Sequence, residues 1–128
     1  MATAPVSILV VEDDPDVGVL LGQVLASVGY RVDRASTASD GRGLIASNNY
    51  DLVLADAVLH DGTGIQLADE AKSRGMKALI ITGYALQLSQ LGVLRRHDYL
   101  LKPFKPEALL NIVADLVGRP QTISATES

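Results

Sequence analysis

Five polar side chains stand directly after apolar runs in this sequence, and their types suit the transfer of a phosphoryl group. They are Glu12, Asp13, Asp56, Thr82 and Lys102. Carboxylates that crowd together repel each other, so a cluster of three usually holds a cation. The oxygen ligands favour a hard ion such as Mg²⁺. A carboxylate can accept a phosphoryl group, while the ion, an ammonium and a hydroxyl stabilise the charge on its oxygens.

Each of these residues also has a simpler interpretation when taken alone. Asp56 would be a solvated loop acid or a helix cap. The acids before Pro15 would cap a helix. Thr82 would be a turn hydroxyl at a strand end, and Lys102 a surface lysine. We favour the chemical interpretation because all five positions recur at the ends of apolar runs.

Apolar runs alternate with amphipathic segments along the whole chain. The runs predict five strands at 6–11, 30–35, 50–56, 77–81 and 99–101, and the second reads as an edge strand. The segments between them predict helices at 15–28, from Thr37 or Ser39 to about 48, at 64–73, at 85–94 and from 106 onward. This alternation is typical of βαβ units, with helices on both faces of a parallel sheet.

The predicted fold class is therefore α/β, a doubly wound five-stranded parallel sheet. The order 2-1-3-4-5 is one of two common strand orders for such a sheet. In that order the first and third strands are neighbours, so their carboxyl ends bring Glu12, Asp13 and Asp56 together. Thr82 and Lys102 arrive at the same edge from the fourth and fifth strands.

Length and composition limit the remaining options. The chain of 128 residues suits one domain, which we place at 6–118, between an N-terminal extension (1–5) and a flexible tail (119–128). No apolar run approaches the roughly 20 residues of a membrane span. A net charge of −4 gives no basic footprint for nucleic acid. The absence of cysteine and of a secretory signal suggests a cytoplasmic protein. We expect no output domain after the last helix.

The ordered set of motifs resembles the receiver domain of two-component response regulators, which has a flavodoxin-like fold. The resemblance covers about residues 6–117. It rests on four segments and the loop glycine Gly64; the segments are ILVVEDD from Ile8, YDLVLAD from Tyr50, IITG from Ile80 and DYLLKPF from Asp98. Any one motif is weak, but the ordered set is specific.

The resemblance implies a bacterial signalling protein that acts as a phosphoacceptor rather than as an enzyme. Asp56 would receive the phosphoryl group from a sensor histidine kinase or a histidine phosphotransfer protein, and the domain would assist its own phosphorylation and dephosphorylation. Asp13, Asp56 and the backbone carbonyl of Val58 would ligate Mg²⁺, and Glu12 would act through a metal-bound water.

The resemblance also implies a switch and a partner surface. Lys102 would pair with the phosphoryl group, Thr82 would move to bond it, and Tyr99 would turn inward. The fourth predicted helix, the fifth strand and the fifth helix would then meet a downstream protein, or a second copy of the chain, with no direct nucleic-acid contact. The segment 85–94 is uncharged and rich in leucine, which suits such a surface.

Three alternatives have less support from the residues. A degenerate receiver would bind protein partners without phosphate, but the intact acids, Thr82 and Lys102 argue against it. A haloacid-dehalogenase-type phosphatase would need a second acid two residues after Asp56, where Val58 stands. A nucleotide-binding module would need a glycine-rich loop after the first strand. The family often has proline where His60 stands, and we expect His60 and His97 to be loop histidines rather than ligands.

Overall fold

The computed structural model describes residues 5–83, 92 and 96–119, and a five-stranded parallel sheet forms its centre. In this part of the chain the elements are β1 (Ser7–Val11), α1 (Pro15–Ser27), β2 (Arg31–Ala35), α2 (Ala38–Ser47), β3 (Leu52–Asp56), β4 (Val58–Leu59), β5 (Gly62–Thr63), α3 (Gly64–Ser73), β6 (Lys77–Thr82), β7 (Asp98–Leu101) and α4 (Pro106–Val117). The sheet order is β2-β1-β3-β6-β7, which confirms the predicted order once β4 and β5 are set apart.

Alternate residues of the central strands point to two cores. On one face Leu9, Val53 and Ala55 pack with residues of α2 and α3. On the other face the neighbouring strand residues, such as Val10 and Leu54, pack with residues of α1 and α4. Because β3 is covered on both faces, its sequence is a continuous apolar run. The edge strand β2 is more exposed, as its alternating polar residues predict.

The helix starts follow the capping residues. Asp14 accepts hydrogen bonds from the backbone N–H of Asp16 (2.9 Å) and Val17 (3.4 Å), and so caps α1. Thr37, not Ser39, is the cap of α2 and accepts from the N–H of Asp40 at 3.0 Å. These caps satisfy amide groups that the first turn of a helix leaves without partners.

The structure adds one element that the sequence did not predict. The antiparallel pair β4–β5 forms a short hairpin between β3 and α3. The segments 1–4 and 120–128, and all of the predicted 85–94 helix except Gly92, lie outside the described residues. Within the described ranges, no helix has both the length and the apolar character to cross a membrane.

Candidate functional site

The carboxyl edge of the sheet collects the residues that the sequence singled out. Val11 is paired with Ala55 across β1 and β3, so the acids after β1 lie beside the end of β3. Asp56 is the last residue of β3 and Thr82 the last of β6. Lys102 follows β7 directly, and its N–H donates to the carbonyl of Thr82 at 2.9 Å. Four neighbouring parallel strands therefore deliver their terminal polar residues to one place.

Lys102 joins two of the acids. Its Nζ donates to Oδ2 of Asp56 at 2.8 Å and to Oε1 of Glu12 at 3.0 Å. The other oxygen of Glu12, Oε2, accepts from the N–H of Asp14 at 3.1 Å. Both oxygens of this nearly buried carboxylate are thus engaged by the protein, which suits a residue that acts on a metal only through water.

Burial and charge shift two pKa values at this site. Burial raises the pKa of Glu12, helped by the nearby charge of Asp56, and the hydrogen bonds from Lys102 and Asp14 offset this only in part. Burial alone would lower the pKa of Lys102. Its hydrogen bonds to Asp56 and Glu12 outweigh that effect, so the net pKa of Lys102 is raised. The ammonium therefore stays charged between its two carboxylate partners.

Three carboxylates converge on the same space as this ammonium. One oxygen from each of Glu12, Asp13 and Asp56 lies within 4.8 Å of the others. We call these three acids and Lys102 the edge cluster. Its donor set is made of oxygen atoms, and its three negative charges outnumber the single positive charge. Both properties fit a hard divalent cation such as Mg²⁺.

The hairpin β4–β5 forms one wall of the cleft. The N–H of Val58 donates to Oδ1 of Asp56 at 3.0 Å, and the Val58 side chain is exposed at the cleft. In the hairpin turn, Asp61 accepts from the N–H of Ala38 (2.7 Å) and of Ser39 (3.0 Å) at the start of α2. These amide donors lower the pKa of Asp61. The Asp61 carboxylate therefore holds the turn against the N-terminus of α2.

Gly64 sets how closely the chain approaches Asp56 from α3. A Cβ at this position would lie 2.1 Å from the carbonyl oxygen of Asp56 and 2.7 Å from its carbonyl carbon. These are backbone atoms that cannot rotate away, so only glycine fits. The N–H of Gly64 also donates to the carbonyl of Ala57 at 3.1 Å. The glycine expected at this position is therefore needed for a steric reason, because a side chain here would collide with the backbone of Asp56.

The two expected switch residues occupy different environments. Thr82 is fully buried at the end of β6. Tyr99 lies on β7, partly buried, and packs against a small cluster that includes Ala57, Ala78 and Ile80. Their roles in a switch remain predictions, but both lie on strands that end at the edge cluster.

One contact inside the cleft was not predicted from the sequence. His60 lies in the turn of the hairpin, and its N–H donates to Oδ2 of Asp13 at 3.0 Å. Its ring Nδ1 lies 3.2 Å from the same oxygen. The only sequence signal was its position four residues after Asp56, where the family often has proline.

Comparisons with known proteins agree with this geometry. Residues 8–114 match the family described as "Response regulator receiver domain". The probable transcriptional regulatory protein SilR of Salmonella typhimurium is 35% identical over 94% of this chain, and transcriptional regulatory protein GlrR of Escherichia coli is 31% identical over 99%. The alignments cover only 54% of SilR and 29% of GlrR, so the chain spans about half or less of these relatives.

Solved structures share the fold over most of both chains. A CheY-like receiver domain protein from Methanospirillum hungatei has a TM-score of 0.80 and 34% identity, covering 88% of this chain and 93% of its own. The receiver domain of sensor histidine kinase PA1611 from Pseudomonas aeruginosa, described with magnesium in its active site cleft, has a TM-score of 0.79 and 30% identity, covering 90% and 99%. The fold, the ordered motifs and the family match together show that this chain belongs to the response regulator receiver domain family.

Proposed function

We propose that this receiver domain accepts a phosphoryl group on Asp56 from a sensor histidine kinase or a histidine phosphotransfer protein. Receiver domains of the family are phosphoacceptors that interact with such proteins. The observation that carries the proposal is the contact between Lys102 and Asp56 inside a surplus of carboxylates. At this open cleft the Asp56 carboxylate is the nucleophile, and the Lys102 ammonium is the positively charged partner for the incoming phosphoryl group.

The transfer balances without any redox partner. A carboxylate oxygen of Asp56 forms a bond to phosphorus as the N–P bond of the donor phosphohistidine breaks. The electron pair of that bond goes to the imidazole nitrogen, which takes up a proton from solvent. Hydrolysis later breaks the P–O bond to Asp56, restores the carboxylate and releases inorganic phosphate.

The edge cluster supports Mg²⁺ as the resident ion. Asp13, Asp56 and the carbonyl of Val58 would hold it, with Glu12 acting through a bound water. The ion would supply positive charge against the phosphoryl oxygens. Lys102 supplies the second positive charge and keeps Asp56 oriented toward the cleft.

Phosphorylation would then act on β7, which ends beside Lys102. A new dianion beside Lys102 and Thr82 biases the packing of β7, which carries Tyr99. The faces of β7 and α4, together with the helix that the sequence predicts at 85–94, would meet a downstream protein or a second copy of the chain. We place this function in the cytoplasm, in agreement with the composition.

Intact-mass spectrometry after incubation with acetyl phosphate and Mg²⁺ tests the proposal. Wild type should gain the mass of one phosphoryl group, and Asp56→Asn should gain none. An adduct of equal yield in Asp56→Asn would refute the assignment of the acceptor. No adduct in wild type with acetyl phosphate or with a phosphorylated histidine donor would favour a degenerate receiver that binds its partners without phosphate.

A further inference from the structure

His60 lines the cleft of the edge cluster, beside Asp13. The chain has two histidines, and the other, His97, is buried against Asp69. His60 is 92% exposed along its side chain, while Nδ1 lies 3.2 Å from Oδ2 of Asp13. An exposed ring changes rotamer at little cost. In the observed rotamer the ring lies outside the group of ligand atoms that the three acids form, so a change of rotamer would bring its nitrogen to an ion held by Asp13 and Asp56.

The turn holds His60 in place without using the ring. The backbone N–H of His60 already donates to Asp13 at 3.0 Å. The next residue of the turn, Asp61, accepts hydrogen bonds from the first amides of α2. The backbone of the turn thus keeps His60 next to Asp13 in any rotamer of the imidazole ring. The ring can leave Asp13 for another partner while the hairpin stays closed.

Imidazole changes the class of ion that such a site prefers. Mg²⁺ prefers oxygen ligands and gains little from nitrogen. First-row transition dications follow the order Mn²⁺ < Co²⁺ < Ni²⁺ < Cu²⁺ > Zn²⁺ and bind imidazole well. We propose that His60 is a nitrogen ligand that lets the edge cluster take transition dications of the Co²⁺, Ni²⁺ and Zn²⁺ class alongside Mg²⁺. This inference rests on the proposed function only in using the same carboxylates. It revises our expectation that His60 is a plain loop histidine.

A rival role for His60 is the positioning of Asp13. In that role the ring donates a hydrogen bond to the carboxylate and never contacts the ion. Loss of the ring would then weaken the binding of every ion that Asp13 ligates, Mg²⁺ and Ni²⁺ alike. The two roles therefore differ in selectivity rather than in affinity alone.

Calorimetric titration of the tag-free chain with Ni²⁺ and, separately, with Mg²⁺ distinguishes these roles. The variants are His60→Ala, His60→Gln, which keeps a hydrogen-bond donor for Asp13 but no ring nitrogen, and Asp13→Asn. We expect Ni²⁺ binding to weaken about tenfold in both His60 variants, with Mg²⁺ binding changed less than about twofold. Asp13→Asn should weaken the binding of both ions.

Absorption spectra of the Co²⁺-loaded chain provide a second readout. A nitrogen ligand shifts the visible bands of Co²⁺, so the spectrum of wild type should differ from that of His60→Ala. Unchanged Ni²⁺ affinity in the His60 variants, equal weakening of Ni²⁺ and Mg²⁺, or Ni²⁺ binding that survives Asp13→Asn would each overturn the inference. Acetyl phosphate with Mg²⁺ on the same samples separates the two proposals, because an intact adduct with unaltered Ni²⁺ binding defeats only the role of His60.

Discussion

Two of the charged groups in the described part of the chain differ in how their charges are balanced. The edge cluster places three carboxylates around the ammonium of Lys102. The second group, which we call the flank cluster, joins α3 to the start of β7 and has one carboxylate among three basic residues; its members are Asp69, Lys72, Arg96 and His97.

The flank cluster is internally satisfied. Nε2 of the buried His97 lies 2.8 Å from Oδ1 of Asp69, and Nδ1 lies 3.3 Å from Nζ of Lys72. Because an ammonium can only donate, Nδ1 must accept and Nε2 must carry the hydrogen that Asp69 accepts. Lys72 also donates to the carbonyl of Arg96. Each group has a partner of matching type, so this cluster fastens two elements together.

The comparison shows that burial of ionisable side chains alone does not indicate a functional site. Glu12 and His97 are both nearly buried and both hydrogen-bonded. Of the two, only the edge cluster has a surplus of carboxylates, and these carboxylates line an open cleft. A surplus of carboxylates costs free energy in the folded state. Such a surplus is typical of a site that binds a cation, and it supports the proposed Mg²⁺ site.

Gly64→Ala should have the largest effect, because it disturbs the edge cluster through the backbone. The new Cβ would lie 2.1 Å from the carbonyl oxygen of Asp56, and relief requires β3 or α3 to move. We expect a loss of about 3 kcal/mol in the free energy of unfolding, together with weaker Mg²⁺ binding. Urea unfolding followed by circular dichroism measures the loss.

Gly43→Ala is the matched control for that substitution. Gly43 lies inside α2, and a Cβ there would meet nothing within 4 Å. Alanine is the better helix former, so the free energy of unfolding of this variant should rise by roughly 0.5–1 kcal/mol. Equal changes in the two variants would show that the close approach to Asp56 is not what makes Gly64 necessary.

Asp69→Ala should destabilise the fold but leave the edge cluster working. The buried N–H of His97 would lose its acceptor, at a cost of roughly 1–3 kcal/mol. Mg²⁺ affinity and the yield of acetyl-phosphate adduct should not change. Arg96→Ala removes only the exposed partner of Asp69 at 3.2 Å, so it should cost less than about 1 kcal/mol. Loss of Mg²⁺ binding in Asp69→Ala would mean that the two clusters are coupled.

The difference between the clusters also explains what the sequence could predict. The edge cluster was predictable because its members stand at strand ends, and parallel strands bring their carboxyl ends together whatever the details of packing. In the same local way, the apolar run of β3 predicted a strand covered on both faces, and Asp14 before Pro15 predicted the start of α1. Such signals lie within a few residues of the feature they predict.

The flank cluster and the hairpin had no local signal. His97 and Asp69 are 28 residues apart, and neither stands at a motif, so we expected only a loop histidine where the structure has a buried one. The strands β4 and β5 have two residues each, too few to show alternation. The contact of His60 with Asp13 depends on that hairpin and was missed with it.

Lys102→Met should sharpen the contrast between the two clusters. Methionine keeps the length of the side chain but removes the only positive charge of the edge cluster. Repulsion among the acids then rises, so Mg²⁺ should bind about threefold more tightly. The chemical-shift changes that beryllofluoride induces along β7 should be lost. Lys72→Met, made in the flank cluster, should alter neither result, and a similar response in both variants would show that Lys102 is misassigned.

Glu12→Gln should have the smallest effect, a change in how stability depends on pH. The pKa of Glu12 is raised above its ordinary 4.5 in the folded chain. Between these two values the folded state binds more protons than the unfolded state, so the free energy of unfolding falls as pH rises through that window. In Mg²⁺-free buffer the variant should lack this decline and become more stable relative to wild type as pH rises from 4.5 through the raised pKa of Glu12.

Asp61→Asn supplies a control of opposite sign for this measurement. The amides of Ala38 and Ser39 lower the pKa of Asp61 below its ordinary 3.8, so its contribution is present above that pH and is lost as pH falls through the folded pKa. Wild type should therefore exceed Asp61→Asn at neutral pH and approach it in acid. Urea unfolding at several pH values, with EDTA present, gives both curves. A Glu12→Gln curve that runs parallel to wild type would show that the carboxylate surplus of the edge cluster costs the folded state nothing, against the contrast drawn between the two clusters.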